Sequence, residues 1–183
     1  RQICDKSNYK LGIYLKKNLI LTGMMGVGKT TIGKALSERL KIKFIDVDKV
    51  IENQESSSIN KIFEKKGEIF FRKIEKIITL KQLENTNCVI ALGGGAFINK
   101  DIREKVLKSG ITIWLDLKIK ELFKRSLSSK KRPLLNNVNL EKKLNDIYHQ
   151  RKDVYNLSNY KINCNAQTKS AVVEKIIEIY ESH

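Results

Sequence analysis

At 183 residues, 41% of them hydrophobic, the chain can bury one sizeable core but is too short for two ordinary domains. Its 36 Lys and Arg against 20 Asp and Glu give a net charge of +16. The lysine pairs at 16–17, 65–66, 130–131 and 142–143 are scattered, however, and the 7% aromatic residues are not interleaved with arginine, so a stacking platform for nucleic acid is unsupported. Cys4, Cys88 and Cys164 have no CxxC spacing, which argues against a disulfide framework or a zinc site and for a reducing, cytoplasmic setting, and no apolar run is long enough to span a membrane.

Along the chain, short apolar runs rich in β-branched residues alternate with helical patterns. "NLILTG" (18–23) reads as a first strand, with a helix over 29–40 after it. "KFIDVD" (43–48) reads as the second strand, followed by helical patterns at 48–53, 59–66 and 68–83. "NCVIALGGG" (87–95) and "ITIWLDL" (111–117) are the third and fourth strands, followed by helices at 100–109 and 118–127. "SLSSKKRPLLNNVN" (126–139) holds the only proline, Pro133, and reads as a loop. A helix at 140–157, a strand "YKINCN" (160–165) and a helix at 169–180 complete the chain; Val172, Val173, Ile176, Ile177 and Tyr180 share one face of the last. Such alternation predicts an α/β fold, a five-stranded parallel sheet of buried strands with helices on both faces, in one domain over 18–183. Residues 1–17 are expected to be an N-terminal extension; the chain opens on Arg1, which leaves a processed terminus open.

The first strand and helix flank Gly23-Met24-Met25-Gly26-Val27-Gly28-Lys29-Thr30, which fits G-x-x-x-x-G-K-[ST] in its required strand–loop–helix context. Glycines let the backbone turn its amides inward as a nest, and the helix adds its free N–H groups and positive dipole end. Lys29 would reach the β- and γ-phosphates, and the Thr30 hydroxyl would ligate Mg²⁺. Gly33, one turn into the helix, allows close packing against a strand. The alternative, an ordinary glycine-rich turn capping a helix, does not account for eight matched positions. The cradle holds a nucleoside triphosphate, but switches, ATPases and small-molecule kinases share it. A guanine-reading Asn-Lys-x-Asp element is missing, since "NKDI" (99–102) lacks the pattern and its strand, and a motor or helicase would need a longer chain. A small-molecule kinase needs a second, anionic-substrate pocket and a mobile lid.

"FIDVD" puts Asp46 and Asp48 at alternate positions of the second strand, so that both project from its C-terminal end, where ligands bind in such sheets. One could support Mg²⁺ while the other accepts a hydrogen bond from a substrate hydroxyl; the competing role for Asp48 is that of an N-cap for the helix after it.

Six segments in order, GMMGVGKTTIG (23–33), FIDVD (44–48), IFEKKGEIFFRKIE (62–75), ALGGGA (91–96), R-x₆-RPLL (125–135) and R-x-x-x-Y (151–155), resemble shikimate kinase, of the nucleoside-monophosphate-kinase-like P-loop group, over nearly the whole chain from about residue 18. The resemblance implies a P-loop kinase that moves the γ-phosphoryl of ATP to the 3-hydroxyl of shikimate. It implies ATP contacts from Gly23, Gly26, Val27, Gly28, Lys29, Thr30 and Thr31, with Arg125 stacked on adenine and Arg132 closing from a lid (about 125–138) on the transferred group. Thr30 and Asp46 would hold Mg²⁺, and Asp48 would contact shikimate hydroxyls as the base, so that Lys29, Asp48 and Arg132 carry the chemistry. Arg72, oriented by Glu75, and Arg151 would grip the shikimate carboxylate beside the backbone of Gly93, Gly94 and Gly95, in a region of about 46–75. For Arg72 a surface ion pair with Glu68 or Glu75 stays open, for the glycines a flexible turn, and for Phe63 and Phe71 either a pocket wall or the core.

The chain departs from that family pattern at Ile69 and Phe70, where polar residues are more usual and a more buried helix or a contact is expected, and at Asn156-Leu157-Ser158, after which the adenine-side loop near 166–169 is poorly placed. Expected partners are ATP and shikimate, with no nucleic acid or membrane, and the expected state is a monomer. Rival readings are a related kinase for another polyol acid such as gluconate and, in a different class, a nucleic-acid-binding ATPase using the +16 charge.

Overall fold

The computed structural model of the chain describes residues 17–128 and 137–183. Among them, five strands form one parallel sheet: β1 (Asn18–Thr22), β2 (Lys43–Asp46), β3 (Cys88–Ala91), β4 (Gly110–Asp116) and β5 (Tyr160–Asn163), in the order β2-β3-β1-β4-β5. The described helices are α1 (Lys29–Leu40), α2 (Val47–Gln54), α3 (Ile59–Gln82), α4 (Lys100–Ser109), α5 (Ile119–Ser128), α6 (Asn137–Tyr155) and α7 (Lys169–Glu181).

Every residue of β1 and β3 is buried, including successive residues that point to opposite faces, so both faces of the sheet are covered. Leu19, Ile20, Leu21, Val89, Ile90 and Ile113 are fully sealed at its centre. The two edge strands differ from the expectation of uniformly buried strands. β2 and β5 each bury only one residue completely, because an edge strand is open to water along one side. On the sheet, α1 packs against β3 and α7, and α4 against β4 and α3. Gly33 meets β2 as its spacing implied: a Cβ there would lie 2.3 Å from the Phe44 ring.

Two expected helices, 59–66 and 68–83, run together as α3 across a break at Gly67, whose φ of 77° and ψ of 171° lie outside the helical region. A short 3₁₀ helix at Ala96–Ile98, not anticipated from periodicity, carries the chain from β3 into α4. Ile69 is 90% exposed, so the expected deeper burial of that helix surface is not what its sequence departure produces. Phe70 is half-buried, with the Lys66 ammonium 4.5 Å above its ring.

The register decides where function sits. Asp46 pairs with Ala91, Ala91 with Leu21, and Thr22 with Trp114. The carboxyl ends of β1, β2 and β3 are therefore level to within a residue, while β4 runs on to Asp116, and the segments after β1, β2 and β3 open at this end of the sheet.

Candidate active site

One side is built from backbone that is contiguous in sequence. Gly28 N-caps α1 at φ 107°, a conformation open to glycine at little cost, and so turns the loop directly into a helix N-terminus. Lys29 Nζ, half-buried, donates to the carbonyl oxygens of Gly23 at 2.9 Å and Met24 at 3.0 Å. Burial lowers its pKa from 10.5 to about 8, opposed by the charges of Asp48 and Asp46. Thr30 Oγ1 donates to Asp46 Oδ2 at 2.6 Å.

Beside the loop, Val27, Gly28, Thr31, Ile32, Arg125, Cys164, Gln167, Thr168, Lys169 and Val172 line a cleft of about 240 Å³. Arg125 enters it by donating from Nη1 to the Val27 carbonyl at 2.9 Å. Gln167, Thr168 and Lys169 were not assigned from sequence, since matching loses its place after Tyr155. The signal that could have found them is Thr168, which caps α7 by accepting from the Ala171 amide at 3.2 Å, as a threonine before a helical pattern does.

The facing side is assembled from segments far apart in the sequence. The expectation that Asp46 and Asp48 project from one strand is corrected: β2 ends at Asp46, and Asp48 stands in the first turn of α2. The capping role falls to Asp46, which accepts from the Lys49 amide at 3.3 Å. A residue that caps a helix leaves the strand, and Asp48 reaches the site from that helix instead. Arg72 carries both alternatives left open for it. Its Nη1 donates to Glu75 Oε2 at 2.7 Å, and its Nε and Nη2 lie 3.3 Å from Glu68 Oε1. Glu75 is buried, so that pair is held; Glu68 is exposed. Phe63 and Phe71 stack with centroids 4.5 Å apart, and the Arg72 guanidinium carbon is 5.2 Å from the Phe71 ring and 5.9 Å from the Phe63 ring. The two phenylalanines are thus core and wall at once.

The triple glycine is a close approach, not a loose turn. A Cβ on Gly93 would lie 2.5 Å from Glu75 Oε1 and 2.8 Å from Asp48 Oδ1, and one on Gly95 would lie 2.6 Å from Arg72 Nη1. Asp48 and Glu75 thus face the same backbone. Burial raises the pKa of both: Lys29 opposes the rise at Asp48, the Arg72 hydrogen bond opposes it at Glu75, and Asp48 adds to it there. Arg151 Nη1 donates to the Gly94 carbonyl at 3.1 Å, which brings α6 into the same cluster. Tyr155, the last residue of the R-x-x-x-Y segment, donates its hydroxyl to the same oxygen and had no role assigned from sequence. Of the sequence-derived site residues, Gly23, Gly26, Val27, Gly28, Lys29, Thr30, Thr31, Asp46, Asp48, Arg72, Gly93, Gly94, Gly95, Arg125 and Arg151 stand at this end of the sheet; Arg132 and most of the expected lid lie outside the described residues.

This geometry has counterparts in known proteins. The sequence model of the shikimate kinase family matches residues 25–181. A shikimate kinase of a Sulfurihydrogenibium species is 39% identical over 165 residues, covering 88% of this chain and 96% of its own. The shikimate kinase of Acinetobacter baumannii, solved in complex with shikimate, is 35% identical with a TM-score of 0.84, and the match covers 91% of this chain and 93% of that one. A gluconokinase from Sinorhizobium meliloti, by contrast, is 13% identical with a TM-score of 0.54 over 92% of this chain and 93% of its own, a likeness of fold alone. With the phosphate cradle and the arginine cluster at one end of the sheet, and with relatives at this identity over this length, the chain belongs to the shikimate kinase family of α/β P-loop kinases.

Proposed function

We propose that the chain transfers the γ-phosphoryl group of ATP to the 3-hydroxyl of shikimate, giving shikimate 3-phosphate and ADP, with Mg²⁺ as cofactor. The observation that carries this reading is the meeting of a phosphate loop with a carboxylate grip: Arg72, braced by buried Glu75, and Asp48 converge on the Gly93–Gly95 backbone. Shikimate has a planar carboxylate at one end and hydroxyls at the other, which suits guanidinium groups together with a carboxylate.

Each residue has a task in this reading. Lys29 leaves the Gly23 and Met24 carbonyls for the β- and γ-phosphates once ATP is bound, and Gly26, Val27, Gly28 and Thr31 present the surrounding backbone. Arg125 lies along the adenine cleft with Gln167 and Thr168. Thr30 Oγ1 and Asp46 Oδ2, side by side at the mouth of the loop, are hard oxygen donors that fit a Mg²⁺ taking its other ligands from phosphates and water. When bound, that ion neutralises charge on the phosphoryl oxygens. Asp48, whose pKa burial has raised, orients the acceptor hydroxyl and takes its proton as the new bond forms. Arg72 and Arg151 hold the carboxylate; exposed Glu68, at 3.3 Å, gives way to it while Glu75 stays. Arg132 is assigned to the charge on the transferring group.

We read 18–183 as one kinase domain with 1–17 as an extension, acting as a monomer. Cys88 and Cys164, buried and free, are in keeping with a cytoplasmic setting, and among the described residues no helix is long and apolar enough to cross a membrane. The test is a coupled ADP-release assay with shikimate and gluconate in parallel and an oligonucleotide arm. Turnover that depends on shikimate is expected; turnover with gluconate alone, or stimulated only by the oligonucleotide, overturns the reading.

A further inference from the structure

Resting on the reading just given, we infer that Tyr155 is a positioning residue for the acceptor: its hydroxyl sets the Gly94–Gly95 peptide and, through the shared carbonyl oxygen, the guanidinium of Arg151. Tyr155 ends α6 and is fully buried, its ring centroid 5.9 Å from that of Trp114 on β4. Its hydroxyl donates to the carbonyl oxygen of Gly94, with the Met24 sulfur 4.0 Å away. Arg151 Nη1 donates to the same oxygen at 3.1 Å. Four residues apart, Arg151 and Tyr155 share one face of α6, and together they fill the two lone pairs of one carbonyl. Gly94 is in turn wedged against the donor loop, since a Cβ there would lie 3.2 Å from the Met25 nitrogen. Gly94 thus joins the phosphate loop, the acceptor-side glycines and the helix that delivers Arg151.

Peptide planarity converts this bond into aim. The carbonyl and the following N–H of a trans peptide point in opposite directions. With the Gly94 oxygen drawn to α6, the Gly95 N–H is turned away from it, at a residue whose α-carbon faces the Arg72 guanidinium. Packing against Trp114 would be met by a phenylalanine. The phenol adds a buried polar group that needs a partner, and the partner is site backbone.

The test is Tyr155→Phe, which keeps the ring volume and removes only the hydroxyl. The KM for shikimate is expected to rise by about 3- to 10-fold, the effect of one lost hydrogen bond. The fall in kcat should be smaller, with the KM for ATP unchanged. In an Arg151→Ala background the same substitution should have a much smaller effect on shikimate KM, because the two side chains act through one oxygen. An unchanged shikimate KM, an equal rise in the KM for ATP, a lowered Tm as the sole effect, or effects that multiply independently with Arg151→Ala would each overturn the inference while wild-type turnover of shikimate leaves the parent reading intact. A wild-type chain that does not phosphorylate shikimate overturns both.

Discussion

On the proposed function, the two halves of the site are made of different material. The donor half is a run of backbone between β1 and α1, in which residues 23–30 supply amides, a lysine and a hydroxyl within eight consecutive positions. The acceptor half draws Asp48 from the first turn of α2, Arg72 and Glu75 from α3, three glycines from the end of β3 and Arg151 from α6, positions about a hundred residues apart. The first depends on local geometry and the second on packing. Cradling the phosphates therefore needs one loop to fold, whereas recognising a small hydroxy acid needs the whole sheet to bring its loops to one end.

Four expectations put that contrast under strain. The largest concerns the chemistry where the halves meet. Asp48→Asn should lower kcat by about 10²- to 10⁴-fold with little change in either KM, and Arg132→Ala should do so to a similar degree; a rate within a few-fold of wild type would remove Asp48 as base. Next, Arg72→Ala should raise shikimate KM by about 10- to 100-fold, the loss of charged hydrogen bonds, and Arg151→Ala should raise it too, while ATP KM stays put. Steady-state kinetics with each substrate varied in turn decides this, and unchanged shikimate KM in both variants would end the carboxylate-grip assignment.

Smaller effects sharpen the difference between backbone and side-chain recognition. Gly95→Ala sets a methyl against the tip of the Arg72 side chain, which can move aside, so the fold should hold while shikimate KM rises about tenfold through misplacement of the guanidinium. A Tm that collapses along with activity would mean the glycine serves the fold instead. The smallest effect is on stability. Lys29 is lowered from 10.5 to about 8, so its charge is held at a cost below pH 8, and stability rises as pH climbs from about 8 to 10.5, where the folded form has shed the proton and the unfolded form still binds it. Asp48 is shifted the other way: with its pKa raised, its contribution is full below the unfolded value and is lost as pH rises through the folded one. Lys29→Met should therefore raise the Tm of the ligand-free protein near neutral pH, by several degrees at about 2–4 °C per kcal/mol, and Asp48→Asn should raise it as well, both with loss of activity. Melting curves that drop instead would show that these groups stabilise the empty site.

How much of this could be read in advance follows the same division. Strand and helix order was legible because periodicity is a local property, and the phosphate loop because its function is its spacing. Asp48 was singled out, but its place was misread: "FIDVD" alternates like a strand, and only Asp46 accepting from the Lys49 amide shows that the strand has ended. The loop near 166–169 was singled out but poorly placed: Thr168 signals a helix cap, and only packing brings it and Gln167 to the Arg125 cleft. Glu68 and Glu75 were equivalent helical neighbours of Arg72 until burial made one a permanent brace and left the other at the surface.

By itself the sequence determined that this chain has a triphosphate cradle, an alternating α/β order and the right charged groups to grip an anionic acceptor, because each rests on residue type and short-range spacing. Tertiary structure alone decided that these groups face one another, that the glycines are tight against Arg72, Glu75 and Asp48, and that Tyr155 and Arg151 share a single carbonyl. The reason is physical: a strand's register and a helix's docking are set by the sum of the core, and no short segment carries that sum.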